Sequence, residues 1–110
     1  MSKTKTRLVF LINLCLALYA SSASGQQITQ AAAELEKMFV EACRERMIGN
    51  YDKAAPMLDA LLKKDNKNHA AMYELARVYD AQNKPEEAEK LLMSAVGLAP
   101  QNEWYKKFLA

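Results

Sequence analysis

The chain has 110 residues, of which 51% are hydrophobic and 25% are charged, which is the balance of an ordinary folded protein of one small domain. Fifteen basic and thirteen acidic side chains leave a net charge of +2, too weak for the basic surface of a nucleic-acid-binding protein. One His and two Cys leave little material for a metal site, and three well-separated Gly exclude a glycine-rich phosphate loop.

Residues 1–25 have the pattern of a signal peptide. Three basic residues precede an apolar run of 13 residues over 8–20, which is interrupted only by Asn13. As a helix this run would measure roughly 20 Å, short of the ~30 Å hydrocarbon core of a membrane. Small residues of the kind that a signal peptidase requires lie directly before Gln26, where we expect cleavage. The alternatives are an uncleaved membrane anchor and, through Cys15, a lipoprotein.

Export predicts a periplasmic or secreted protein, with a bacterial periplasm as the default from the style of the leader. Cleavage would remove three positive charges and leave residues 26–110 with a net charge of about −1. Cys43 would then be the single cysteine, so it could not form an internal disulfide. We expect Cys43 to act as a small buried hydrophobic residue, and intermolecular pairing is the alternative.

The remainder of the chain repeats at an interval of 34 residues. When the chain is aligned with itself at this offset, few residues are identical, but the identical ones lie where helices would have to pack together. The pairs brought together are Met38 with Met72, Ala42 with Ala76, Ala54 with Ala88, Leu58 with Leu92, and Asn68 with Asn102.

The first copy predicts two helices, over about 29–48 and 52–64, followed by a polar loop. Between them Gly49 is suited to the positive φ that often ends a helix. Pro56 lies early in the second helix, where its missing N–H predicts a modest bend and not a break. No stretch alternates with a period of two, so the sequence predicts an all-α fold.

The second copy follows the same plan. One helix carries a stripe at the spacing i, i+3, i+4, i+7, and the next begins at Pro85, whose missing N–H has no cost in a first turn. Pro100 ends that second helix, and Asn102 is the predicted N-cap of a last helix over 103–110. The two predicted stripes consist of Met72, Leu75, Ala76 and Tyr79, and of Ala88, Leu91, Leu92, Ala95 and Val96.

The copies resemble the tetratricopeptide repeat, a helix-turn-helix unit of 34 residues. The first copy has the turn typical of the family over 49–54, but Glu41, Glu45 and Asn66 stand where the family has Leu, Tyr and Pro. In the second copy the matching residues are Met72, Leu75, Ala76, Tyr79, Ala88, Leu92 and Pro100, and in the first they are Met38, Ala42, Ala54 and Leu58.

The resemblance implies an α-solenoid of antiparallel helix pairs. Its predicted parts are an extension of the first helix over 26–34, repeats over 35–68 and 69–102, and the first helix of a third repeat over 103–110. Because an end repeat has one uncovered side, we expect Glu41 and Glu45 to meet water. The apolar last helix suggests a truncated fragment of a longer array or, alternatively, an interface with a partner or a second copy.

Family members are mostly non-enzymatic scaffolds, in which the first helices of successive repeats line a groove for a peptide or protein. The alternative for Arg46 and Arg77 is that each is solvated or paired with a nearby Glu. Some relatives clamp a terminal carboxylate with Lys and Asn, a ligand class that Phe39, Cys43 and Glu74 do not support. The candidate groove residues are Phe39, Cys43, Arg46, Tyr73, Glu74, Arg77, Asp80, Lys107 and Phe108.

The sequence offers no catalytic set, so we predict no enzymatic activity, cofactor or metal. His69 is expected to be exposed without a metal-ligand neighbour, and Glu86, Glu87 and Glu89 are expected to form a solvated helix face. The predicted function is a scaffold that binds a protein or peptide outside the cytoplasm. The alternatives are an assembly subunit that self-associates or docks through its incomplete last repeat, and a membrane-anchored form with an uncleaved leader.

Overall fold

The computed structural model describes residues 30–110, so the predicted signal peptide and its cleavage site lie outside the described residues. Within the described range the chain forms five helices and no strand, which confirms the all-α fold. None of these helices is both long and apolar enough to cross a membrane. The helices are α1 over 30–47, α2 Tyr51–Lys64, α3 His69–Ala81, α4 Pro85–Leu98 and α5 Glu103–Leu109.

Local sequence signals set the ends of these helices. Gly49 has a φ of +84° after α1, a backbone conformation that favours glycine. The side chain of Asn68 accepts a hydrogen bond from Ala71 N at the start of α3. Asn102 accepts hydrogen bonds from the first backbone N–H groups of α5, as predicted for an N-cap.

The two prolines inside the helices behave differently. Pro85 is in the first turn of α4, as predicted, and Glu86 and Glu87 follow it near the positive end of the helix dipole. Pro56 lies inside α2, which nevertheless continues from Tyr51 to Lys64 without a break.

Residues 35–110 form one compact unit in which α2 packs on α3, α3 on α4 and α4 on α5. Small side chains at the contacts let the backbones approach closely, and leucines fill the space between them. One core cluster joins α1, α2 and α3, and a smaller one joins α3 and α4. The first comprises Ala42, Ala54, Leu58, Leu61, Ala71, Leu75 and Val78, and the second comprises Ala76, Ala88 and Leu92.

The two charged departures in the first repeat have different surroundings. Glu41 is exposed, as predicted. The same prediction is wrong for Glu45, whose side chain is only 14% exposed. Its carboxylate accepts a hydrogen bond from Asn50 Nδ2 at 2.9 Å and lies 3.3 Å from Lys53 Nζ. Hydrogen bonds from these two partners lower the pKa of Glu45, and the bond from Asn50 has the larger effect. The carboxylate of Glu45 is therefore kept in its charged form.

Candidate functional site

The first helix of each repeat contacts the first helix of the next. Arg46 on α1 contacts Glu74 on α3, and Tyr73 on α3 contacts Tyr105 and Phe108 on α5. The side of the unit on which these residues meet is called here the α1–α3–α5 face. Six of the nine predicted groove residues lie on it, in two groups with different chemistry.

The α1–α3 seam is ionic and consists of Arg46, Glu74 and Arg77. Arg46 donates from Nε to Glu74 Oε2, and Arg77 Nη1 lies 3.8 Å from Glu74 Oε1. Their side chains are 16%, 12% and 38% exposed, respectively. A carboxylate this well covered requires compensating donors, and the two arginines provide them. The pairing with Glu, one of the two alternatives for these arginines, is therefore the one observed.

Cys43 lies beside the ionic seam and is half-buried. Burial, and next the charge of Glu74, raise the pKa of its thiol to about 11, although Arg46 and Arg77 act in the opposite direction. The thiol is therefore protonated and weakly nucleophilic at neutral pH. Phe39, one turn earlier on α1, packs against the first core cluster.

The α3–α5 seam is aromatic and consists of His69, Tyr73, Tyr105 and Phe108. The ring of Tyr73 lies 5.0 Å from that of Tyr105 and 5.9 Å from that of Phe108, measured between centroids. Tyr105 is only 4% exposed, and burial is the main cause that raises the pKa of its phenol. These contacts hold α5 against α3.

The prediction that His69 is exposed is wrong. It is half-buried, and its Nδ1 lies 2.7 Å from the hydroxyl of Tyr105 in a hydrogen bond. The first residue of α3 is covered because α5 packs across the start of that helix. Sequence reasoning also omitted Tyr105 from the candidate residues, although Ala71, 34 residues earlier, marks a position where the fold buries its side chain completely.

A family model of the tetratricopeptide repeat matches residues 49–110, which is more than half of the chain. The chain belongs to the tetratricopeptide repeat family. Repeats of this kind generally mediate protein–protein interaction and are typically non-enzymatic scaffolds. A search of curated proteins found no match. Helix α1 precedes the matched range, yet Ala42 belongs to the first core cluster, so α1 packs as the first helix of a repeat.

Cations lie over aromatic rings at three places in residues 30–110 of this tetratricopeptide repeat protein, and two of them are on helices α3 and α5. The guanidinium carbon of Arg77 lies 5.6 Å from the centre of the Tyr73 ring, and Lys107 Nζ lies 5.3 Å from that of Trp104. Trp104 is 68% exposed. The rings orient both cations and give the face rigid, amphipathic contact area.

Two open depressions lie beside the repeats. One, of about 260 Å³, lies between α3, α4 and α5 and has Asp80 and Phe108 in its wall. The other, of about 450 Å³, lies at the turns, where Gln82 donates a hydrogen bond to Asp52 across 3.1 Å. Among residues 30–110 no group of three His, Cys, Asp or Glu could hold a metal ion.

The structure therefore divides the predicted site. It brings Cys43, Arg46, Glu74 and Arg77 together, and it brings Tyr73 and Phe108 together. The other three predicted residues lie elsewhere. Lys107 lies over the ring of Trp104, Asp80 lines the depression between α3, α4 and α5, and Phe39 packs against the first core cluster. This arrangement offers guanidinium donors next to aromatic surface, which suits recognition of a polypeptide.

Proposed function

We propose that the α1–α3–α5 face binds a segment of another protein. The observation that carries this proposal is the position of Arg77, whose side chain is 38% exposed and lies over the Tyr73 ring at the border of the aromatic seam. Aromatic and arginine side chains that are already ordered lose little conformational entropy on binding, and such residues dominate the energetics of protein interfaces. The family membership supports the same function.

Panning a display library of random nine-residue peptides on the purified full chain tests this proposal. Enriched peptides should lose about 10- to 150-fold in affinity for Arg77→Met, because a hydrogen bond to a charged group contributes roughly 1.5–3 kcal/mol. Arg44→Met is the matched control: Arg44 is exposed on α1 and lies about 200° around that helix from Arg46. Failure to enrich any peptide, or equal binding by both variants, would contradict the proposal.

We further propose that the protein acts outside the cytoplasm, in the periplasm of a bacterium or as a secreted protein. The basic start and short apolar run within residues 1–25 support export. N-terminal sequencing of the protein recovered from an expressing host should begin at Gln26. A product that retains residues 1–25 would favour the membrane-anchored form.

Self-association is a second candidate function, favoured by two apolar side chains on α5. Trp104 is 68% exposed and Leu109 is 39% exposed, and large apolar side chains left in contact with water are candidates for burial in an interface. Sedimentation equilibrium of the full chain would show a concentration-dependent dimer, and Trp104→Ser would weaken it. A monomer at all concentrations would remove this candidate and leave the binding face.

A further inference from the structure

We propose that the segment recognised by the α1–α3–α5 face is acidic, and that Arg77 binds its carboxylate. This inference rests on the proposed function and names the chemical class of the ligand. Charge is the first reason. The ionic seam holds two guanidinium groups and one carboxylate, so it carries one positive charge in excess. At the edge of the face Asp80 and Lys107 have opposite charges, which leaves that excess unchanged.

Arg77 is the arginine that can exchange its partner. Arg46 is 16% exposed and donates directly to Glu74, whereas Arg77 is 38% exposed and lies 3.8 Å from the same carboxylate, at the outer limit of an ion pair. The guanidinium carbon of Arg77 also lies 5.6 Å from the centre of the Tyr73 ring, so the ring limits the positions open to this group. A guanidinium carries its N–H donors in a planar fork, which suits bidentate recognition of a carboxylate.

Glu74 is an internal competitor for the same donors. Its carboxylate lies between the two arginines and is only 12% exposed, so a ligand carboxylate has to share Arg77 with it. The same position disfavours a basic ligand, because an approaching ammonium group would meet Arg77 before it reached Glu74. The face therefore selects against cations and keeps its affinity for anions moderate.

Apolar surface next to Arg77 specifies the neighbours of the ligand carboxylate. Tyr73 and Phe108 are half-buried, and their rings contact each other within the aromatic seam. An apolar side chain adjacent to the acidic residue would extend this contact. The expected ligand is thus an acidic side chain within a segment that also contains apolar residues.

Three pools of nine-residue peptides, acetylated and amidated at their ends, test the proposal. The central residue is Glu, Gln or Lys, the other positions contain the same mixture, and binding to the full chain is measured by fluorescence anisotropy. We expect the Glu pool to bind about tenfold more tightly than the Gln pool, and the Lys pool to bind most weakly. A Gln pool with a free terminal carboxylate should match the amidated Gln pool, because an internal side chain is the recognised group.

Single substitutions identify the residue that causes the preference for Glu over Gln. Arg77→Met should abolish the preference for Glu over Gln, and Arg77→Lys should reduce it. Arg44→Met should retain it. Glu74→Gln, a nearly isosteric change, should strengthen binding of the Glu pool several-fold and leave the Gln pool unchanged. Circular dichroism confirms that each variant remains folded.

The failures of the two proposals are distinguishable. Equal binding of the Glu and Gln pools, tightest binding of the Lys pool, or a preference that survives in Arg77→Met would overturn the acidic ligand while the binding face stood. A preference for the free terminal carboxylate would likewise overturn the internal side chain as the recognised group. Absence of binding by every pool would overturn the proposed function itself.

Discussion

The α1–α3 and α3–α5 seams join successive repeats at equivalent places, yet they use different interactions. In the first, Glu74 is held between two arginines, one of which is 38% exposed. In the second, Tyr105 is 4% exposed and is packed against other aromatic rings. Burial of apolar area stabilises the second seam, whereas the first keeps charges that can change partners. We therefore expect the aromatic seam to contribute more to stability, and we propose that Arg77 in the ionic seam contributes to recognition.

Removal of the central ring of the aromatic seam should have the largest effect on stability. Tyr105→Ala should lower the free energy of unfolding by about 3–5 kcal/mol, because it deletes a buried aromatic ring and leaves a cavity. Chemical denaturation measures this change. Trp104→Ala, which removes a neighbouring ring that is 68% exposed, should cost no more than about 0.5 kcal/mol. Similar losses in both variants would refute the assignment of stability to this seam.

Removal of one arginine from the ionic seam should have the next largest effect. Arg46→Met leaves the covered Glu74 carboxylate with Arg77 alone at 3.8 Å, and should lower the free energy of unfolding by about 1–3 kcal/mol. The double variant Arg46→Met/Glu74→Gln should recover most of this loss, because no covered charge is then left uncompensated and the remaining cation, Arg77, is 38% exposed to water. A double variant that loses the sum of both single effects would contradict this account of the seam.

The hydrogen bond within the aromatic seam contributes less than the packing. Tyr105→Phe keeps the ring and removes only the hydroxyl that contacts His69 Nδ1 at 2.7 Å, so the expected loss is about 1 kcal/mol. A double-mutant cycle with His69→Ala measures the coupling. Strictly additive losses would show that the two side chains contribute independently.

The reactivity of the Cys43 thiol, beside the ionic seam, measures how far this side chain is buried. Because burial raises the pKa of Cys43 from 9.0 to about 11, the native chain should hold about a hundredfold less thiolate at pH 8 than the unfolded chain. Alkylation by iodoacetamide should accordingly be slow in the native protein and should continue to accelerate above pH 10. In urea the rate should reach half of its maximum near pH 9 and level off above about pH 10, one unit above the pKa of a free thiol. Equal native and unfolded rates would contradict the burial of this thiol.

Much of the fold could be predicted because its determinants are local or periodic. Gly49 and Pro85 act through their own backbone geometry and Asn102 acts through its side-chain oxygen, and each performs the predicted role. The stripe that contains Leu75 and Ala76 points inward because residues three and four apart share a helix face. The acids Glu86, Glu87 and Glu89 are exposed, also as predicted.

The candidate site could be predicted only as a set of helix positions. Periodicity placed Arg46, Glu74 and Arg77 on facing helices, but it did not reveal that one carboxylate is shared by both arginines. It also missed the covering of Glu45 by Asn50 and Lys53, because a long side chain can bend back over a turn. These outcomes depend on side-chain rotamers that the spacing of residues does not specify.

The sequence by itself determined five helices, their ends and the sides that they bury, since these follow from backbone chemistry and a repeat of fixed length. Tertiary structure decided which polar groups meet across helices, as in the bond between His69 and Tyr105, 36 residues apart. Such contacts depend on the distance and angle between packed helices. Those quantities arise from the whole core and not from any one segment.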